Sequence, residues 1–325
     1  MHAPDGFLSA GTAVATGAIS AGTLSLALRQ ARRLMTEKVV PLAGIAAAFV
    51  FAAQMFNFPV AAGTTGHLLG GALAAILLGP HVGAVVVAVV VGVQALAFAD
   101  GGLTALGYNV LNMAIVPAYG GYAAFSWLRK LLPASRGGVV AATALASGAS
   151  VVMSAAAFSI EWLFGATAPV PFDTVFASMV GIHALIGVGE GVISGIAVGV
   201  VLASRPDLVF GARDLSIRSL SDSKVPMRAF LLGGLAVALV LATVVSQFAA
   251  GDPDGLEAVA EQTGFVSAAE DHALDSSVFA DYATSGVGNQ SLSLAIAGAA
   301  GTAITLAVAY GLFRAWRPPK SVPGE

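Results

Sequence analysis

The sequence has 325 residues, of which 57% are apolar and 10% charged, with a net charge of −3 and a mean hydropathy of +0.86. Disordered chains are poor in apolar residues and rich in charge, so this composition excludes disorder. Soluble domains carry about a quarter of their residues as charged side chains. We therefore predict an integral membrane protein. Because the chain has no cysteine, disulfides, thiolate metal sites and cysteine nucleophiles are also excluded.

Charge-free runs predict an all-α fold of about nine transmembrane helices, because a helical span needs about 20 residues. Pro and Gly divide the long run 39–99 at residues 57–66 and again at 79–81. The piece between these breaks, 67–79, is too short to cross upright, so we expect it to be short, tilted or re-entrant. Seven spans are predicted before residue 204 and two after residue 228, in the runs 6–28, 39–99, 101–128, 137–160, 175–203, 229–251 and 282–313.

The positions of Lys and Arg predict the orientation of the chain. All 15 basic residues fall on the same side of the alternating spans, in the groups 29–38, 129–136, 205–228 and 314–320. This side is interpreted as cytoplasmic, so we expect the N-terminus outside and the C-terminus inside. The first apolar stretch is not interpreted as a secretory signal, because its basic residues follow it instead of preceding it.

Met1 and His2 form a terminus that can chelate a metal ion. The terminal amine, the deprotonated amide nitrogen of His2 and its Nδ1 close two fused rings on one metal and supply three coplanar nitrogens. His67, at another outer boundary of the predicted spans, is placed to supply a fourth. A square plane of nitrogens suits Ni(II) or Cu(II). From the residues alone two other readings stay open, a frayed terminus for His2 and a capping or hydrogen-bonding role for His67.

The motif Met-His-Ala-Pro-Asp-Gly-Phe-Leu-Ser at residues 1–9 resembles the N-terminal signature of a known family of membrane proteins. That family is the nickel/cobalt substrate-binding component of energy-coupling-factor ABC transporters, the NikM/CbiM family. The chain departs from it at Ala3, where members more often carry Ile. Further segments resemble the family in order along the chain, at 53–60, 63–71, 107–114 and 181–187. Asp-Pro-Asp-Gly-Leu-Glu at 252–257 resembles the signature of its accessory two-span unit, which indicates the fused NikMN type.

The resemblance implies a function, partners and a ligand set. The expected function is capture and membrane passage of Ni(II), with Met1, His2 and His67 as metal ligands. Pro4-Asp5 is more typical of the nickel branch, and Co(II) uptake for cobalamin biosynthesis is the alternative. The expected partners are the lipid bilayer, a transmembrane coupling subunit and two ATP-binding subunits of an ATP-driven importer in the inner (plasma) membrane. No lysine follows a glycine, so the chain has no Gly-Lys-Ser/Thr phosphate loop and we expect it not to be an enzyme.

The same resemblance predicts the division of the chain. Residues 1–203 are expected to form the metal-binding seven-helix membrane domain, 204–228 a basic cytoplasmic linker, and 229–325 the accessory two-helix domain. The accessory domain includes an external acidic loop, 250–289, which either gathers divalent cations for the site or is a solubilising loop. We expect no resident cofactor and no nucleic-acid partner.

Several polar residues are candidates for supporting the ligands or lining a pocket. Asp5 is expected either to accept a hydrogen bond from an imidazole N–H or to close a plain turn. Other candidates line the pocket or bond across helices; they are Asn57, Asn109, Asn112, His183 and Glu190. An alternative from another class, a proton-coupled transporter with Glu190 and His183 as a relay, predicts a second intramembrane carboxylate or an internal repeat. The sequence has neither in its predicted spans. His81 is interpreted as interfacial, and His272 as a solvated loop residue or a transient metal contact.

Overall fold

The computed structural model describes residues 1–61, 63–215 and 225–318. Part of the predicted linker, 216–224, and the end of the chain, 319–325, lie outside the described residues. The chain is mainly helical, because its apolar runs are rich in Ala, Val, Leu and Gly and are bounded by Pro, Gly and capping residues. The helices are α1 (Ala10–Ala31), α2 (Val39–Gln54), α3 (Gly71–Leu78), α4 (Pro80–Ala97), α5 (Leu106–Val110), α6 (Val116–Leu131), α7 (Arg136–Gly165), α8 (Phe172–Ser204), α9 (Met227–Thr243), α10 (Gly255–Thr263) and α11 (Gln290–Trp316).

Within the described residues, six helices are long and apolar enough to cross a membrane, namely α1, α4, α7, α8, α9 and α11. The chain is therefore a multi-pass membrane protein. Helix α2 is apolar but has 16 residues, and α3 has eight, as short as the sequence predicts for 67–79. Helices α5 and α6 are joined by a π-helical turn, Leu111–Ile115. The number of spans, nine, and the direction of the termini remain predictions.

The expectation of an all-helical chain is wrong at one break. Residues that we interpreted only as a helix break form a two-stranded antiparallel hairpin of β1 (Phe58–Ala61) and β2 (Thr64–Gly66). Its strands pair Phe58 with Gly66, and the chain passes directly from β2 to His67. The hairpin therefore fixes where the candidate ligand His67 enters the protein.

Helices α7 and α8 form the longest helix pair, and small residues let their backbones approach closely. A Cβ atom added to Gly148 would lie 2.7 Å from the carbonyl oxygen of Gly187, and one on Gly187 would lie 2.6 Å from that of Gly148. Inside membranes the hydrophobic effect does not drive helices together, because lipid tails are also apolar. Close van der Waals packing at small residues stabilises helix pairs there instead. The accessory helices α9 and α11 pack against α2, on another side of the bundle.

Backbone hydrogen bonds hold the predicted acidic loop against the first domain, and three of them surround the N-terminal segment. The backbone N–H of Ala250 donates to the carbonyl of Asn57, and that of Glu270 donates to the carbonyl of Asp5, each at 2.9 Å. The N–H of Asp281 donates to the carbonyl of Phe98, also at 2.9 Å. Because these contacts surround the N-terminal segment, the loop covers the candidate metal ligands.

Candidate metal site

The terminal amine of Met1 and the ring of His67 lie together, although 66 positions separate them in the sequence. The Met1 nitrogen lies 2.7 Å from Nε2 of His67, and both residues are buried. Nδ1 of His67 lies 3.0 Å from the carbonyl oxygen of Leu68, which can only accept, so Nδ1 carries the proton and Nε2 keeps its lone pair. Two nitrogens bound at right angles to one metal at about 2.0 Å lie about 2.8 Å apart. The observed spacing is therefore that of two adjacent ligands of a square plane.

A hydrogen bond to Gln94 holds the His2 ring and leaves the lone pair on Nδ1. Its Nε2 lies 3.0 Å from Oε1 of Gln94, which accepts the Nε2 proton and leaves Nδ1 as the nitrogen that the chelate needs. The rings of His2 and His67 stack at a centroid distance of 5.3 Å. Burial, opposed by the nearby carboxylate of Asp100 and assisted by the Met1 ammonium, lowers the pKa of His2 to about 4. His2 is therefore neutral near pH 7, as a metal ligand must be.

The N-terminal segment is anchored through Ala3 and Asp5. Asn109 makes two hydrogen bonds with Ala3, accepting from its N–H and donating to its carbonyl, each at 2.9 Å. The Asp5 carboxylate accepts from the backbone N–H groups of 103–105 at 2.7 to 3.2 Å and from the Thr104 hydroxyl at 2.5 Å. The expected bond from an imidazole to Asp5 is not among its contacts in the described residues. Asp5 instead ties the terminus to residues 103–105, just before α5 begins.

The segment after His67 is anchored by Glu190 of α8. Its two carboxylate oxygens accept from the N–H groups of Leu69, at 2.6 Å, and Gly70, at 3.0 Å. Gln54 donates to the carbonyl of Leu69 at 2.9 Å. Glu190 is fully buried and lies beside the site, but its oxygens are engaged by the backbone that follows His67. This arrangement suits an anchor for the ligand better than a proton relay.

His183 lines a small cavity next to the terminal amine. The cavity of about 10 Å³, about the space of one water molecule, is bordered by Met1, His67, Ile186 and Gly255 as well. Nδ1 of His183 donates to the carbonyl of Met179 at 2.8 Å, and its buried Nε2 has no hydrogen-bond partner in the described part of the chain. His183 is therefore a pocket residue with a free lone pair.

Asp254 of the accessory unit lies at the site, although the sequence predicts it only as part of the 252–257 signature and of the acidic loop. Its Oδ2 forms a short ion pair with the Met1 ammonium and lies 3.6 Å from Nε2 of His67. Burial alone would raise the pKa of Asp254, but the charge of the Met1 ammonium holds it well below its usual range. The sequence signal that could have found it is its place in the Pro-Asp-Gly-Leu-Glu signature.

Tyr282, also in the accessory loop, supports the neighbours of His2. Its hydroxyl donates to Oδ2 of Asp100 at 2.6 Å and accepts from Nε2 of Gln94 at 3.2 Å. Burial and the charge of Asp100 raise the pKa of Tyr282 well above its usual value, so the hydroxyl keeps its proton. Asp100 in turn lies 3.3 Å from Nδ1 of His2. No pattern in the sequence indicates this contact.

The remaining candidates lie away from the ligands. Asn57 accepts a backbone bond from Ala250 through its carbonyl. Asn112, in the π-helical turn, donates to Glu161 at 2.6 Å, which is a bond between helices. His81 pairs with the Tyr119 hydroxyl at 2.9 Å, and Nδ1 of His272 accepts from a backbone N–H inside its own loop. Among the described residues, no group of three or more His, Asp or Glu side chains is spaced to hold a metal ion. The candidate site instead combines imidazoles with backbone nitrogens.

Sequence comparison agrees with the resemblance noted from the motifs. Residues 2–208 match the profile of the CbiM family, described as a cobalt uptake substrate-specific transmembrane region. The chain belongs to the CbiM family. A second profile, the PDGLE domain, matches residues 228–318 of this CbiM-family chain.

Curated relatives carry names from nickel and cobalt transport. The chain is 34% identical to a putative fused nickel transport protein NikMN of Archaeoglobus fulgidus, over 97% of this chain and 98% of that protein. It is 35% identical to the fused nickel transport protein NikMN of Rhodobacter capsulatus, over 64% of each chain. It is also 33% identical to the cobalt transport protein CbiM of Geobacter sulfurreducens, over 64% of this chain and 61% of that one.

A solved structure shares the fold of the first part of this CbiM-family chain. It is the crystal structure of a truncated transition metal transporter, 31% identical, with a TM-score of 0.56. The match covers 62% of this chain and 99% of the other. The relatives are transport proteins by name, which agrees with the expectation of a transport subunit.

Proposed function

We propose that this chain captures Ni(II) outside the membrane and passes it inward, as the substrate-specific subunit of an ATP-driven energy-coupling-factor importer. The observation that carries the proposal is the 2.7 Å spacing of the Met1 amine and Nε2 of His67. The amine, the amide nitrogen and Nδ1 of His2, and Nε2 of His67 would form the four corners of a square plane. In that plane His67 lies opposite the amide nitrogen and therefore next to the amine. The proposal requires that the mature chain keeps a free amine at Met1.

Four nitrogens in one plane favour Ni(II) over Co(II), because Ni(II) accepts square-planar nitrogen ligands readily. Co(II) is the second candidate, since the description of the family and the name of one relative refer to cobalt. The two are separated by a competition experiment in which both ions are supplied at equal concentration. We expect nickel to be retained in excess over cobalt.

The proposed import direction needs the site on the outer face of the plasma membrane. The distribution of Lys and Arg supports nine spans with the N-terminus outside and the C-terminus inside. The proposed partners are a transmembrane coupling subunit and two ATP-binding subunits, because this chain has no Gly-Lys-Ser/Thr loop of its own. Residues 1–203 and 229–325 are the proposed binding and accessory domains.

Metal analysis of the purified protein tests the proposal. The protein carries an untagged N-terminus and a tag after Glu325, and it is purified from cells that are supplied with nickel. We expect about one nickel ion per chain, lost when His67 is replaced by Ala, and an intact chain that begins at Met1 in mass spectrometry. A chain that begins at Ala3 or later, or a His67→Ala protein that retains as much nickel as the wild type, would contradict the proposal.

A further inference from the structure

The carboxylate of Asp254 is shared between two tasks. Its Oδ1 caps α10, accepting from the N–H groups of Leu256, at 2.8 Å, and Glu257, at 3.0 Å. Its Oδ2 faces away from the helix toward the Met1 amine and Nε2 of His67. Because the cap fixes the plane of the carboxylate, Oδ2 is aimed at the amine by the backbone of the accessory unit.

The start of α10 is fastened to the first domain beside the site. The N–H of Thr65 donates to the carbonyl of Pro253 at 2.9 Å, and the Thr65 hydroxyl donates to that of Asp252 at 3.0 Å. Thr65 belongs to strand β2, which leads directly into His67. The same strand thus positions the ligand and the segment that carries Asp254.

Gly255, the residue after Asp254, packs closely against α8. A Cβ atom on Gly255 would lie 2.5 Å from Cδ1 of Ile186 and 3.1 Å from Nε2 of His183. With glycine at this position, α10 packs against the side chains of Ile186 and His183 on α8 without displacing them. The other seven carboxylates of the acidic loop are exposed, whereas Asp254 is largely buried at the ligands.

We propose that Asp254 is a positioning residue of the metal site, supplied by the accessory unit. It holds the Met1 amine against His67 before the metal arrives, and its carboxylate would face the cation once the ammonium has released one proton to solvent and the amine has bound the metal. The amine and imidazole are then already at the spacing of two adjacent ligands. The part of the inference that concerns nickel binding rests on the proposed function, whereas the contact between Asp254 and the Met1 amine does not. It gives the accessory unit a direct part in the site.

Asp254→Asn separates this role from helix capping, because Asn caps helices as well as Asp but carries no charge. The first measurement is the rate at which an amine-reactive reagent modifies Met1 in the metal-free, full-length protein, read from the N-terminal peptide by mass spectrometry. We expect modification to be about 10-fold faster than in wild type, since a charge-assisted hydrogen bond no longer holds the amine. If Asp254 served only as the cap of α10, the modification rate in Asp254→Asn would equal that of the wild type.

The second measurement is nickel affinity by competition with a chelator in the same proteins. We expect Asp254→Asn to lose about 10- to 100-fold, the usual effect of removing a group that orients a ligand. Asp252→Asn is the matched control, since Asp252 is exposed and lies two residues away in the same loop, and both readouts should stay at the wild-type level. Asp254→Ser, another capping residue, is the second variant if Asp254→Asn fails to fold.

The two proposals fail in different ways. Wild-type protein that binds no nickel contradicts the proposed function, while the amine measurement still reports on Asp254. Wild-type modification of Met1 in Asp254→Asn overturns the inference. Wild-type nickel affinity in Asp254→Asn, with wild-type protein that binds nickel, overturns it as well.

Discussion

Each candidate imidazole ligand has one ring nitrogen that donates to a neighbouring oxygen, which leaves the lone pair on the other nitrogen. His67 uses Nδ1 to donate to Leu68, and His2 uses Nε2 to donate to Gln94. Such bonds set the tautomer and orientation of an imidazole before a metal binds. The fixed orientation lowers the cost of ordering the ligands at the moment of binding.

Replacing His67 should remove one corner of the square plane. His67→Ala leaves three nitrogens and a water, so we expect nickel affinity to fall by about 10- to 100-fold or more. His81→Ala is the control, because His81 pairs with Tyr119 away from the site. Equal nickel affinities for the two variants in a chelator competition would show that His67 is not a ligand.

Replacing Glu190 should act on His67 indirectly. In Glu190→Gln one of the two N–H groups, of Leu69 or Gly70, faces an NH₂ group instead of an oxygen. We expect a loss of about 1.5–3 kcal/mol of unfolding free energy, the range for hydrogen bonds to charged groups, together with weaker nickel binding. Thermal unfolding in detergent and nickel titration measure the two effects. Asp173→Asn, an exposed change in the same helix, should alter neither by much, and an unaltered Glu190→Gln protein would contradict the anchoring role.

At the residue scale, the sequence points to the candidate ligands more directly than to the residues that hold them. Met1-His2 is a chelator by its covalent chemistry, so its candidacy needs no tertiary information. Asp254 lies in the Pro-Asp-Gly-Leu-Glu signature, but that signature does not indicate its contact with Met1, which lies 253 positions away. Asp5 is found by position but its role is not, since its partners 103–105 belong to another segment.

Among the elements, strands β1 and β2 and helix α10 lie next to the site. The sequence shows the Pro and Gly of the hairpin as a break but not its strand pairing, whose register shifts between Pro59 and Ala61. Helix α3 is predicted as short because its charge-free piece is short. The length of apolar runs is a property of the chain, whereas the pairing of β1 with β2 is a property of the packed structure.

A methyl group on Gly255 should disturb the contact between α10 and α8. Its Cβ would meet Ile186 and His183, so in Gly255→Ala either these two side chains, which border the cavity beside Met1, or α10 itself must move. We expect weaker nickel binding and faster chemical modification of the Met1 amine. Gly251→Ala is the matched control, because nothing lies within 4 Å of its added Cβ. Identical behaviour of the two alanine variants would mean that the close packing of α10 does not serve the site.

At the scale of the whole molecule, the acidic loop places negative charges, and no Lys or Arg, next to the site. Besides Asp254, its carboxylates are exposed, and a cluster of like charges raises the local concentration of cations. We expect neutralisation of these seven residues to slow nickel uptake by roughly 10-fold at low salt and little near 0.5 M salt, where the Debye length is about 4 Å. The residues to change to Asn or Gln are Asp252, Glu257, Glu261, Glu270, Asp271, Asp275 and Asp281.

The control for this variant is its equilibrium affinity for nickel, which should match that of the wild type because the ligands and Asp254 remain. An uptake rate that is unchanged at low salt would contradict the steering role. A loss that is independent of salt would also contradict it and would point to direct contact of this loop with the metal.

The most direct test of the site is a nickel titration of two full-length proteins that differ only at the terminus. One begins at Met1, and the other carries one additional residue before it, which converts the amine into an amide. The native protein should bind about one Ni(II) per chain, and the extended protein, while still folded, should bind at least about 100-fold more weakly. Equal affinity in the two proteins would contradict the assignment of the Met1 amine as a metal ligand.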